Sequence, residues 1–375
     1  VTGSPAVHRP CATQTHFEVR FVRELTSWLS GVSDPDSFPY PAVLAEFHRV
    51  GKHFVEKELL AGLDEVRGRL PAGEDPPAGE PDAFRLLRDF LDVALDKWDG
   101  RYDYRSYLAL PLLGLPVGAD TGEGAAGGRR GRDRLLVRLV ADALAFELAV
   151  GAGATDLLPE QRPAPAVVAK RHRLGVRAVA PALSRLGLTA PGEDSRPEAA
   201  AAALVALGRA ETTAAEERAL RLSMLPVYVS HDEYLFIRVL QAYECVFAAL
   251  ADELRAAIGD LAAGRVRSAA DRLAHARDQL ATAGPLFSLL ATMQPESFRT
   301  FREYTEGASA IQSRSYKLVE SLCRTPDADR LASAAYRSVP EVRAVVLAGT
   351  PTIDAAYDAA VRDGRLAAPD RDLLR

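Results

Sequence analysis

The sequence predicts an all-α fold, a helical bundle, and three observations carry that expectation. Apolar residues recur at three- and four-residue steps in segment after segment, the spacing of one helical face. No run of strands is visible. No unit repeats at a fixed period, which sets aside solenoids and propellers. The chain has 375 residues, of which 48% are hydrophobic and 26% charged, the balance of an ordinary globular protein with enough apolar material for a large core. The net charge of −5 is modest and the arginines are interspersed with acids, so no basic stripe favours a nucleic-acid partner. No run of about eighteen apolar residues is expected to cross a bilayer, and no apolar signal core stands at the N-terminus, so a cytoplasmic location is expected. Cys11, Cys245 and Cys323 form neither a zinc pattern nor an even disulfide set and read as reduced thiols.

Taken in order, residues 1–16 read as a flexible N-terminus, and 17–375 as a single all-helical domain. The run from Phe17 to Val32 is amphipathic, and a second helix is expected across Pro41–Leu63. His48 and His53 lie five apart, a poor spacing for two ligands on one helical face, and read as surface or interface residues. Pro71–Pro81 reads as a loop. Residues 82–116 start as a helix that Asp99-Gly100 breaks. A tyrosine and leucine stripe follows, Tyr104, Tyr107, Leu108, Leu110, Leu112 and Leu113. The glycine-rich segment 117–132 reads as a loop or lid. Its G-E-G-A-A-G string follows no strand, so it is no dinucleotide fingerprint. Residues 133–152 form an apolar helix. From Ala164 another helix spaces Val167, Val168, His172, Val176 and Val179 so that His172 can face an apolar interior. Residues 187–215, Pro-rich and then Ala-rich, read as a linker, and further helices close the chain after Lys317.

The stretch His231–Leu254 begins with Ser230 and Glu233 in a capping-box spacing. Phe236, Val239, Leu240, Tyr243, Val246, Phe247 and Leu250 then give it one broad apolar face. Read with residues 291–320 downstream, it presents HDEYLFI, then Gln241 and Glu244, then TMQPESFRTFR and ASAIQS. In order and spacing these phrases resemble the signature of the tryptophan 2,3-dioxygenase superfamily (HDExLFI, HQxxE, ETxTPxxFxxFR, SGFQS). The YRSYLALPLL element at 104–113 resembles that family's YxxYLxLDxLL, with Pro111 in place of Asp.

The resemblance implies an all-helical fold enclosing a haem pocket. It makes Tyr104, Tyr107, Leu108, Phe236, Leu240, Phe298, Arg302 and Ser309 candidate substrate contacts, with Arg302 as the fork for an amino acid's carboxylate. The family's haem ligand stands in an RHxxxVxR helix near its C-terminus. Here Arg171-His172, with Val176, precedes the HDE phrase, so the helix order would be rearranged around the same bundle. His172 is the candidate axial ligand of the iron, with His48 and His231 as rivals. No C-x-x-C-H or HxxxC motif is present, so haem b held non-covalently is expected. The glycine-rich TGGSSG loop of the family is absent. Ala310 replaces a glycine of the ASAIQS turn, which disfavours a positive φ there.

At Leu240 the family has a histidine that faces an indole N–H, and leucine accepts no hydrogen bond. That departure points away from tryptophan ring opening. It points toward the histidine-ligated haem enzymes of the superfamily that hydroxylate tyrosine in natural-product pathways. The expected reaction is L-tyrosine to L-DOPA with peroxide, or dioxygen plus a reductant. His231 is then the candidate that orients the phenol and assists its deprotonation, against a plainer role in starting its helix. Tryptophan oxygenation and a non-catalytic helical scaffold or haem sensor are the alternatives. Small-molecule partners and a possible homo-oligomer are implied, with no nucleic acid and no membrane.

Overall fold

The computed structural model describes residues 22–31, 34–70, 82–115, 128–192, 195–210 and 212–366, with three further positions near the C-terminus. The expectations for residues 1–16, Cys11, Pro71–Pro81 and most of the glycine-rich segment fall outside the described residues. Among the described residues there are helices and no strand, only an isolated bridge between Glu160 and Ser230.

The N-terminal lobe holds α1 (22–30), α2 (Tyr40–Val50), α3 (Lys57–Arg69) and α4 (Asp82–Ala94). Its core is Trp28, Phe38, Phe47, Leu63, Leu87 and Phe90 with their neighbours. The single helix expected over Pro41–Leu63 is two helices. Gly51 ends the first at φ 84°, and a Cβ there would stand 2.6 Å from the Val227 carbonyl oxygen. The left-handed turn and the close backbone approach both require glycine, and an apolar period cannot reveal either. The Lys52 N–H then donates to the Pro226 carbonyl, tying the lobe to the segment before the central helix.

After the short α5 (Tyr104–Tyr107) and a 3-10 turn over Leu110–Leu113, three helices form the middle layer: α6 (Gly128–Gly151), α7 (Pro165–Leu186) and α8 (Pro197–Ala210). Two expectations change here. The helix α6 starts inside the segment 117–132 that reads as loop, and 187–215 contains α8, fourteen residues long. The alanine run that looks like a linker is a strong helix former. Its small side chains let Ala200, Ala201, Leu204, Val205 and Gly208 bury against α6 and α7. The short α9 (Ala214–Leu222) follows, with Thr213 and Glu216 forming a capping box.

The central element is α10 (His231–Ala262), buried along most of its length and packed on α6 and on α11 (Val266–Leu280), α12 (Ala283–Leu290), α13 (Pro295–Thr305) and α14 (Arg314–Cys323). By length and composition α10 could span a bilayer, against the expectation that no such run exists, but 83% of its most apolar window is buried inside the protein. It is the core helix of the fold. Leu235, Ile237, Val239 and Leu250 join Leu139, Leu144, Val179 and Leu183 in the main core. Each such buried side chain contributes roughly 1.5–3 kcal/mol. Four short helices, α15–α18 (Ala328–Leu331, Ala334–Arg337, Pro340–Leu347, Ile353–Arg362), close the end of the bundle around Tyr336, with Leu254 and Leu322 beneath them.

The start of α10 is not held by the expected capping box. The Ser230 side chain bonds Gln161 and Ser297, and makes no cap to the first turn. The Glu233 carboxyl instead accepts from the amides of Val227 and Tyr228, at 2.7 and 3.1 Å. The spacing is that of a cap, but tertiary partners take both side chains.

Candidate functional site

The two faces at the start of α10 are chemically unlike. At 3.6 residues per turn, His231 and Leu240 point about 180° apart. The face carrying Glu233, Phe236, Leu240 and Glu244 meets α5 and α13. There Phe236 stands 6.2 Å from Tyr107, 5.7 Å from Phe298 and 5.1 Å from Phe301, measured between ring centroids. Tyr104, Tyr107, Leu108 and Leu240 are buried in the same core. The Tyr107 hydroxyl donates to Glu233 at 3.3 Å, and Gln241 Nε2 donates to the Leu108 carbonyl at 2.8 Å. Glu244 bonds Ser313 and Tyr104. These acidic and amide side chains fasten the 104–108 segment to the central helix. In the sequence all three are only motif letters, and nothing there gives them this work.

Burial raises the Glu233 carboxyl to about 8, although the two backbone amides and the Tyr107 hydroxyl pull it down. The Glu244 carboxyl is likewise raised by burial, against bonds from Ser313, Ser315 and Tyr104. Arg302 lies near enough for its charge to act on Tyr107, and its Nη1 donates to Thr305 Oγ1 at 2.7 Å and to the Ala308 carbonyl. Ser309 begins the 3-10 turn Ala310–Gln312, and Gln312 Oε1 accepts from the Tyr104 amide at 3.0 Å. Ala310 sits in that turn without a positive φ, so the missing glycine leaves no strain there.

On the opposite face, α6, α7 and the starts of α8 and α10 line a cavity of about 580 Å³ that opens to solvent. Leu148, Val168, Ala169, Pro163 and Pro165 form apolar wall, and His172, His231, Glu147, Glu198, Arg162 and Arg196 are the polar lining. The Nε2 of His172 is buried without a hydrogen-bond partner, as is the Nδ1 of His231. Burial lowers the affinity of His172 for a proton, against the charges of Glu147 and Glu198, so its imidazole is neutral at neutral pH. Beneath the cavity a charge network is fully buried: Arg171 donates to Glu147 at 2.6 Å and to Asp232 at 2.7 Å, and His231 Nε2 lies 3.0 Å from Glu147. Asp232 in turn accepts from the Gln294 amide at 2.6 Å. Burial would raise the Glu147 carboxyl, but its bond to His231 and the Arg171 charge outweigh that and hold it below the usual range.

The structure therefore brings the candidate residues together as two groups. Tyr104, Tyr107, Leu108, Phe236, Leu240, Phe298 and Arg302 form one, with Ser309 joined to it through Gln312. His172 and His231 form the other, and the expected single pocket in which His231 meets the Phe236 and Arg302 side is divided by the body of α10. Of the rivals to His172, His48 is committed to the Met224 carbonyl at 2.8 Å and lines no part of the cavity. Sequence reasoning misses the network of Arg171, Asp232 and Glu147. Arg171 and Asp232 each stand beside a candidate histidine, and nothing in the sequence pairs them with a glutamate on α6.

Residues 221–347 match the model of the tryptophan 2,3-dioxygenase family. Over that segment the chain is similar to tryptophan 2,3-dioxygenases. Among relatives, the tryptophan 2,3-dioxygenase of Polaromonas naphthalenivorans is 32% identical over 139 residues, 36% of this chain and 48% of that protein. That of Pseudomonas aeruginosa is 31% identical over 143 residues, 37% and 48% of the two chains. That of Erythrobacter litoralis is 33% identical over 156 residues, 40% and 57%. The chain thus spans about half the length of the curated relatives it matches. No solved structure matches it. The superfamily segment begins at α9, so α10, the aromatic face and Arg302 lie inside it, while α6, α7 and His172 lie outside.

Proteins of the family hold haem b without a covalent link. The cavity fits that group by its donors: a buried neutral imidazole with an unpartnered nitrogen, an apolar wall, and two guanidiniums in the lining that suit carboxylates.

Proposed function

We propose that this chain is a haem-dependent oxygenase of an aromatic amino acid, and that its reaction is the hydroxylation of L-tyrosine to L-DOPA. The observation that carries the reading is the shared cavity of His172 and His231, built beside a helix that bears the superfamily's signature. Haem b, when bound, supplies the activation of peroxide, or of dioxygen with a reductant. His172 would hold it, since a buried imidazole kept neutral keeps a lone pair for a metal. Arg162 and Arg196 would meet its carboxylates, and the proline and valine wall would keep competing water from the site.

On this reading His231, a residue of the same lining, would accept a hydrogen bond from a phenol and assist its deprotonation. The aromatic group around Phe236, with Tyr104, Tyr107, Leu108, Phe298 and Ser309, is the candidate ring site of the superfamily, and Arg302 its carboxylate fork. That group lies across the body of α10 from the cavity of His172 and His231, so a substrate ring held in the cavity does not touch it. A second reading, oxygenation of tryptophan, is favoured by the relatives, all three of which are tryptophan 2,3-dioxygenases. Against it stands Leu240, buried in an apolar core where it offers no acceptor to an indole N–H.

Haem titration of the purified chain decides the cofactor: a Soret band that forms with the natural chain and is lost in His172→Ala is expected. No band in the natural chain overturns the proposal. Incubation with tyrosine or tryptophan and peroxide, or with dioxygen and a reductant, followed by mass measurement, decides the reaction. A gain of one oxygen on tyrosine supports hydroxylation, and a gain of two on tryptophan replaces it with the second reading.

A further inference from the structure

The cavity contains a histidine whose two ring nitrogens have different surroundings. His231 Nε2 lies 3.0 Å from Glu147 Oε2, while Nδ1 is buried and has no partner. Glu147 is itself buried, and its other oxygen accepts from Arg171 Nη1 at 2.6 Å. An arginine stays protonated in proteins, so this contact requires an acceptor oxygen on Glu147. A carboxylate between a guanidinium and an imidazole accepts from both and donates to neither. The Phe146 ring, 4.8 Å from the imidazole between centroids, packs beside it and limits its reorientation.

We propose that Glu147 is a positioning residue that fixes His231, a residue of the cavity lining, as its Nε2–H tautomer and so leaves the buried Nδ1 as the ring's unprotonated acceptor, open to a phenol O–H or an indole N–H once a ligand displaces its neighbours. The proposal rests on the reading of His231 as the group that meets the substrate, and it adds the residue on α6 that prepares it. Glu147 lies outside the segment shared with the superfamily, so the tautomer is set by a part of the chain that the family match does not cover. Arg171 holds Glu147 from behind and is held in turn by Asp232 and Thr292, so the carboxylate has little freedom to turn away. The same arrangement, a carboxylate behind an imidazole, fixes ring orientation and tautomer wherever a histidine must present one nitrogen to a partner.

Nitrogen-15 spectra of the full chain labelled at histidine test this directly, with the His231 signals assigned by their loss in His231→Asn. The expected result is a protonated Nε2 and an unprotonated Nδ1 in the natural chain. In Glu147→Gln, whose amide can donate as well as accept, the ring should lose that fixed tautomer and show a mixture or the reverse one. A natural chain with the proton on Nδ1 overturns the proposal, as does a folded Glu147→Gln variant with an unchanged His231 spectrum. If that variant does not fold, the spectrum of the natural chain still decides. Because the measurement needs no haem and no turnover, a chain that binds no haem would sink the proposed function and leave this result standing.

Discussion

The two faces of α10 solve the problem of burying polar groups in opposite ways. Toward α5 and α13, Glu233, Gln241 and Glu244 each have several hydrogen-bond partners in neighbouring segments, and the space between them is filled by aromatic rings and Leu240. Toward α6 and α7, one guanidinium bridges two carboxylates, a histidine rests on one of them, and beside the network a cavity stays open. The first face is a packed joint. The second keeps two imidazole nitrogens without partners, which a fold selected for stability alone would satisfy or replace by apolar side chains. On the proposed function the first face chiefly supplies stability and the second chiefly chemistry, and each variant below presses on that division.

The largest effect is expected from Arg171→Leu. It removes the guanidinium that bridges Glu147 and Asp232 and leaves two carboxylates buried beside each other. Breaking a buried pair in this way costs about 3–5 kcal/mol, because the remaining charge has lost its compensation. Urea unfolding of the natural chain and the variant reads it as a lower midpoint. A loss below about 1 kcal/mol would mean that water reaches the network and that the cavity face is not dry.

Next in size is the pH dependence carried by Glu233. Its carboxyl is raised from 4.5 to about 8, first by burial, so the folded state holds a proton that the unfolded chain releases. A group raised on folding contributes stability that is fully present below its unfolded value and is lost as pH rises through its folded value. Between pH 5 and 8 the loss amounts to at most about 4 kcal/mol, at about 1.4 kcal/mol for each pH step of one. Glu233→Gln keeps the shape without the ionisation and should flatten this decline, leaving the variant relatively more stable at pH 8 than at pH 5. Unfolding midpoints at the two values check it. An equally steep decline in both proteins would place the titrating group elsewhere.

Much of this division is hidden in the sequence for physical reasons. Helix periodicity identifies which residues are buried, and it places α6, α7 and α10 well. It does not say what a buried polar residue touches, because partners such as Glu147 and Arg171, or Tyr107 and Glu233, lie 24 and 126 positions apart. The resemblance selects residues that do cluster, including Tyr107, Phe236 and Phe298, since a motif preserves neighbours in space as well as in order. It also suggests that His231 and Phe236 share a pocket, and the angle between them on one helix prevents that. Composition misleads at α8, where alanine and proline near a turn look alike in a linker and in a short packed helix.

The smallest effect on stability, and the most informative for the comparison, is expected from Leu240→His. The site is buried among apolar side chains of the packed face, so an imidazole there loses solvation without an evident partner, at a cost of about 1–3 kcal/mol. The same change supplies the acceptor that an indole N–H lacks in the natural chain. If the aromatic face receives the substrate ring, the variant should bind tryptophan more tightly relative to tyrosine, measured calorimetrically on the haem-loaded protein. If the ring instead enters the cavity of His172 and His231, the variant loses stability while the ratio of the two affinities stays as it was. A change in that ratio moves substrate recognition onto the face that now looks purely structural, because Leu240 and the cavity lie on opposite sides of α10 and a cavity-bound ligand has no contact through which to sense the substitution.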